Sequence, residues 1–146
     1  MANKFGFDLT SNKILKSISN VMKDGSIEAK NHFMKSFTDG GFTDQQLVKW
    51  QPRKKETAKT KGKGVLIASG ALRRSIRVSQ LSALSFTVVS DLGLPTNKDY
   101  APVHNFGLRA GRGKGFIMPQ RRFMGDSQVL QKKIYDNLVR QINKVF

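Results

Sequence analysis

The sequence predicts one α+β domain over residues 1–146, a small antiparallel β-sheet packed with N-terminal helices and a long C-terminal helix, and carrying an extended basic loop. Three observations predict it. Apolar residues recur at helical spacing near both ends, the period shortens to two in the middle, and 146 residues suit a single hydrophobic core.

Ile14, Leu15, Ile18, Val21 and Met22 mark a first amphipathic helix, with Ser11 or Asn12 as its N-cap and an end near Asp24 and Gly25. A second run places Ile27, Ala29, Phe33 and Phe37 on one face and stops at Asp39-Gly40-Gly41, where left-handed backbone is easily accommodated. The break at Gly25-Ser26 is alternatively a kink in one long helix.

Residues 51–64 hold Arg53, Lys54, Lys55, Lys59, Lys61 and Lys63 against a single acid, Glu56, without apolar periodicity. They predict an exposed loop with little to bury against the entropy of ordering it, mobile until it meets a partner. Val65, Leu66 and Ile67 end it. Leu72 and Ile76, four apart, give one or two helical turns. Leu84, Phe86 and Val88 then alternate with Ser85, Thr87 and Val89 as a half-buried strand does, and residues 77–81 supply its antiparallel partner through a turn around Ser82 in a small meander.

Gly93, Pro95 and Asn97 make residues 91–98 a loop. Residues 100–106 form a short helix, and Phe116-Ile117-Met118 a short strand before Pro119. The last element is the clearest. Asp126 or Ser127 caps a helix in which Leu130, Ile134, Leu138, Ile142 and Val145 form a continuous apolar stripe.

The net charge of +16, from 26 Lys+Arg against 10 Asp+Glu, makes identical copies repel and attracts polyanions or acidic protein surfaces. There is no cysteine, which removes disulfides, thiolate metal sites and cysteine nucleophiles and suits assembly in a reducing cytoplasm. The opening residues Met1-Ala2-Asn3-Lys4-Phe5-Gly6 carry no export signal, and no apolar run of membrane-spanning length follows.

Chemical motifs fail in instructive ways. The glycine-rich residues 107–115 lack the phosphate-loop spacing, and Gly115 stands where a Ser or Thr would reach magnesium. Phe116 occupies the place of the third glycine in a dinucleotide fingerprint. These residues therefore read as a flexible basic turn bearing Arg109, Arg112 and Lys114. His32 and His104 have no recognisable nucleophile or metal-binding pair beside them in sequence: His32 reads as a boundary residue and His104 as a hydrogen-bonding structural one. The aspartates are dispersed through caps and turns. The expected catalytic, metal and cofactor residues are none.

Four ordered patterns resemble the virion morphogenesis and tail-completion proteins of tailed phages: Trp50-Gln51-Pro52-Arg53, Ser69-Gly70-Ala71-Leu72-Arg73-Arg74-Ser75-Ile76, Tyr100-Ala101-Pro102-Val103-His104-Asn105-Phe106-Gly107 and Met118-Pro119-Gln120-Arg121-Arg122-Phe123-Met124-Gly125. With the basic loop, the glycine-rich loop and the closing helix they cover most of the chain after Trp50. In physical terms Trp50 anchors the start of the basic loop, Pro102 and Pro119 fix backbone direction, and Gly107 and Gly125 permit turns. Tyr100, Phe106 and Phe123 are expected in the core. Of Arg121 and Arg122, one is expected to pair with a carboxylate inside the domain and the other to reach a neighbouring subunit.

The resemblance implies a structural virion protein that completes the tail or joins head and tail, as a tail-completion, neck or tail-terminator component. It implies a ring of identical copies, a hexamer, contacting other tail or neck proteins, with DNA passing through its lumen, no membrane, and assembly in the host cytoplasm. The expected partner-docking residues are Arg53, Lys54, Lys55, Lys59, Lys61, Lys63, Arg109, Arg112, Lys114, Arg121 and Arg122. Two other readings stand beside it: a nucleic-acid-binding protein, though the basic loop lacks interleaved aromatics for base stacking, and an assembly factor absent from the finished particle.

Overall fold

In the computed structural model, which describes residues 7–95 and 98–146 with side chains from residue 11 onward, one helix, α1 (Phe7–Asp39), runs through both predicted N-terminal helices. The readings of residues 1–6 and of Asn97 lie outside the described residues. Val21, Gly25, Ala29, Phe33 and Phe37 form an unbroken, buried i, i+4 row, so the helix continues where the sequence offered a break. A mid-helix glycine costs about 1 kcal/mol relative to alanine, and here it permits close packing. A Cβ at Gly25 would sit 3.1 Å from the Phe86 ring and 3.6 Å from Ile134.

Two expectations fail on this helix. Ser11 and Asn12 lie inside α1 and cap nothing, because helical backbone already begins at Phe7. Ile27 is 50% exposed; at 100° per residue it sits about 200° around the helix from Ala29, on the solvent face.

Gly40 turns the chain with φ +63° into a hairpin of β1 (Gly41–Thr43) and β2 (Leu47–Lys49) that sequence patterning did not reveal. Three-residue strands are too short to display a period. Helix α2 (Ala71–Arg74) leads into β3 (Ile76–Leu81), which pairs antiparallel with β4 (Phe86–Ser90). Leu72 and Ile76 are buried, as their spacing predicts. Leu84 belongs to the turn, not the strand, and is exposed; Ser82 closes that turn by donating its backbone N–H to the Ser85 carbonyl at 2.8 Å.

Helix α3 (Ala101–Phe106) follows, then β5 (Arg109–Ala110) and β6 (Phe116–Ile117), which pair across the glycine-rich segment. The strands thus make three separate two-stranded ladders and not one meander.

Helix α4 (Gln128–Asn143) packs antiparallel to α1. Lys133 pairs with Glu28 at 2.8 Å, and the Gln141–Lys144 end lies beside Lys13, Lys16 and Asn20. Ser127 is the N-cap, its Oγ accepting from the Leu130 N–H at 3.2 Å while donating to the Thr43 carbonyl at 2.8 Å. Asp44, in the β1–β2 turn, accepts the Gln128 N–H at 2.9 Å. One helix end is therefore satisfied from two distant segments, which couples the first hairpin to α4. The core lies between α1, α4 and the segments joining them: Ala29, Phe33, Phe37, Phe42, Trp50, Leu72, Ile76, Ala101, Phe123 and Leu130.

Candidate functional site

The four sequence patterns meet at one junction beside Phe37. The Phe37 ring packs against Trp50 at 5.6 Å and Phe123 at 5.3 Å between centroids. Around this aromatic centre, side chains satisfy backbone groups that no helix or sheet reaches. Trp50 Nε1 donates to the Arg122 carbonyl at 2.6 Å. Asn105, 6% exposed, accepts at Oδ1 from the Phe123 and Met124 N–H groups at 2.9 and 3.2 Å and donates from Nδ2 to the Met124 carbonyl at 3.1 Å. Buried polar groups are costly when unpaired, so this one amide holds a whole turn of irregular chain.

Arg121 is buried, 7% exposed. Its backbone N–H donates to the His104 carbonyl at 2.8 Å, while Nε and Nη2 donate to the Gln51 and Pro52 carbonyls at 3.1 and 3.3 Å. Arg122 donates from Nη2 to the Asp126 carbonyl at 2.6 Å and lies over the Phe42 ring, 4.4 Å from its centroid. Neither arginine meets a carboxylate among the described residues, contrary to the expected pairing of one of them. Carbonyl oxygens take that place because residues 51–52 and 122–126 form no ladder and leave acceptors open.

Gly107 terminates α3 with φ +67°, and a Cβ there would approach Gln120 and the Met118 carbonyl at 3.0 to 3.1 Å. This close approach needs glycine. Phe123 is 1% exposed as expected, but Phe106 is 63% and Tyr100 37% exposed. Tyr100 precedes and Phe106 ends a short helix whose inward positions are taken by Ala101 and Asn105.

Arg53 closes the basic loop on itself, Nη1 donating to the Thr60 and Lys63 carbonyls at 3.2 and 2.9 Å and Nη2 to the Gly64 carbonyl at 2.7 Å. Lys63 Nζ reaches the Ala68 carbonyl at 2.8 Å, and Arg109 donates to the Lys114 carbonyl across the second hairpin turn. Lys54, Lys55, Lys59, Lys61, Arg112 and Lys114 are exposed. The eleven docking candidates thus divide into those that shape the chain's own loops and those that project from them.

His104 does not fill the hydrogen-bonding role expected of its side chain. Its Nδ1 is buried without a partner among the described residues, and only its backbone joins the network. Burial, then the nearby Arg121 charge, holds its pKa below the ordinary 6.5. The His32 ring lies at the edge of Phe42 with Nε2 2.9 Å from the Thr43 carbonyl, a boundary position as expected. Among the described residues no group of His, Asp and Glu has the arrangement to hold a metal ion, and no helix is long and apolar enough to cross a membrane.

Two surface features escaped sequence reading. A groove of about 600 Å³ runs between α1, β4, α3 and α4, lined by Phe33, Phe86, Val88, Phe123, Leu130 and Ile134. Val48, Leu84 and Ile117, one near the end of each hairpin, are 65 to 68% exposed. Only the tertiary arrangement separates these from core apolar residues, so no local signal could have found them.

No curated protein and no solved structure matched the chain. The family comparison did, from near the start of α1 to the last residue of α4, enclosing the junction, both basic loops and all three hairpins. By that match over residues 13–143, the chain belongs to the phage virion morphogenesis family, and its role lies in phage virion assembly.

Proposed function

We propose that the chain is a non-enzymatic structural component that completes the phage tail or joins head and tail, forming or entering a ring of identical copies. The observation that carries this reading is the family match across residues 13–143, which spans nearly every described element. The geometry supports it physically. The junction residues spend their polar groups on holding loops, and the apolar side chains at the three hairpins stand where neighbouring subunits can bury them. A contact repeated head to tail around the tail axis closes into a ring.

The exposed lysines of the basic loop, Lys54, Lys55, Lys59 and Lys61, are the docking arm in this reading, directed at an acidic protein surface. With +16 per copy, repulsion opposes ring closure until such a surface compensates it. Purified virions test the proposal by mass spectrometry, together with particles made without the chain. Presence in virions and loss of tailed, infectious particles in its absence is expected. A chain needed for assembly yet missing from virions would make it an assembly factor; virions that package its DNA-bound form inside the head would favour a nucleic-acid-binding protein.

A further inference from the structure

A second recess, about 270 Å³, opens on the other side of the junction and is lined by Arg53, Leu66, Ser69, Tyr100, His104 and Arg121 among others. No carboxylate lines it. Arg121 is more than nine-tenths buried, and with Nε and Nη2 engaged on carbonyls its Nη1 has no partner among the described residues. His104 contributes a buried, unpartnered Nδ1. Leu66 holds the wall with φ +63°, a left-handed conformation that side chains other than glycine rarely adopt.

A buried guanidinium facing a second one is unfavourable without a counter-charge. The three groups act on one another: burial and then the Arg53 charge lower the pKa of Arg121, and Arg121 in turn helps hold His104 neutral. An anion entering the recess would relieve both repulsions and accept from the Arg121 Nη1 that no carbonyl takes, in a recess that Tyr100 and Ser69 also line.

We propose that this recess binds the carboxylate of an aspartate or glutamate side chain from an acidic partner protein. Its dimensions and walls choose that class over nucleic acid. Val65, Leu66, Ala71 and Leu72 line it, so it admits the end of one side chain with an apolar stem, whereas backbone phosphates are ordinarily met by basic side chains along an open surface. The partner is a different protein, because this chain has 10 acids against 26 bases and repels its own copies. The inference rests on the proposed docking to another virion protein only for the source of the acid; the titration below reads the recess alone, so either can fail without the other.

The test is NMR of the His104 ring in the full chain at constant ionic strength, titrated with a blocked tetraglutamate peptide, its tetraglutamine counterpart, inorganic phosphate and a short DNA duplex. The glutamate peptide should shift the His104 resonances saturably and raise the His104 pKa, while His32, outside the recess, serves as the unaffected control. Arg53→Gln should weaken that binding about tenfold or more, and Arg53→Lys, which keeps the charge, less. Absence of a saturable shift in the unmodified protein, an equal shift from tetraglutamine, or tighter binding of phosphate or DNA at His104 would each overturn the proposal.

Discussion

Trp50 and Arg122, 72 positions apart in the chain, are joined by a hydrogen bond of 2.6 Å from the indole N–H to the arginine's backbone carbonyl. The bond fastens the start of the basic loop to the segment that leads into α4. Trp50→Phe keeps an aromatic ring beside Phe37 but removes the donor, leaving a part-buried carbonyl unpaired. A loss of about 1–3 kcal/mol is expected, read as a lower urea midpoint at unchanged slope. An unchanged midpoint would mean that water replaces the indole freely.

Asn105→Ala should be costlier than its small change in volume implies, since the Phe123 and Met124 N–H groups lose their acceptor together. The expected loss is about 2 kcal/mol or more. Asn143→Ala, at the exposed end of α4, should stay within about 0.5 kcal/mol. Chemical denaturation of both variants makes the comparison, and equal effects would show that the amide is not holding the turn.

What the sequence made legible follows from which interactions are local. The α4 stripe, the Leu72 and Ile76 pair and the β3–β4 hairpin repeat at periods that side-chain direction imposes, and each was readable. Position alone narrowed the α4 cap to Asp126 or Ser127, and the structure selects Ser127. The second acceptor, Asp44, could not, because it lies 84 residues away from Gln128. Gly25 misled for a related reason: local propensity favours a break, and packing against Phe86 and Ile134 overrides it. At the candidate site the four patterns were visible in order, while their convergence was not. Arg53 and Arg121 were both docking candidates until the fold buried one and wrapped a loop around the other.

The lowered pKa of His104 sets the sign of a pH effect. The unfolded imidazole takes its proton near 6.5 and the folded one only at lower pH. Between those values the unfolded chain holds more protons, so stability rises with pH and falls as pH drops below the unfolded value. Melting curves from about pH 7.5 to about pH 5 should show this decline, and His104→Gln should flatten its histidine-dependent part. Identical pH profiles would contradict a buried neutral imidazole.

Replacing Lys54, Lys55, Lys59 and Lys61 together by serine should leave the melting temperature nearly unchanged, since exposed charges contribute little to folding, on the order of 0.5 kcal/mol or less each. Incorporation into particles should fall. If the variant loses DNA binding but enters tails or necks at the normal level, the loop is a nucleic-acid arm and not a docking arm.

A cryo-electron microscopy reconstruction of the intact particle tests the central claim most directly. Helix α1, 33 residues long and therefore about 50 Å, lies antiparallel to α4 and makes a recognisable pair at moderate resolution. The account predicts that pair repeated around the tail axis, at the tail end or the head-tail neck, with the basic loops against a neighbouring protein. Complete, infectious particles with no density for the chain at either place would contradict it.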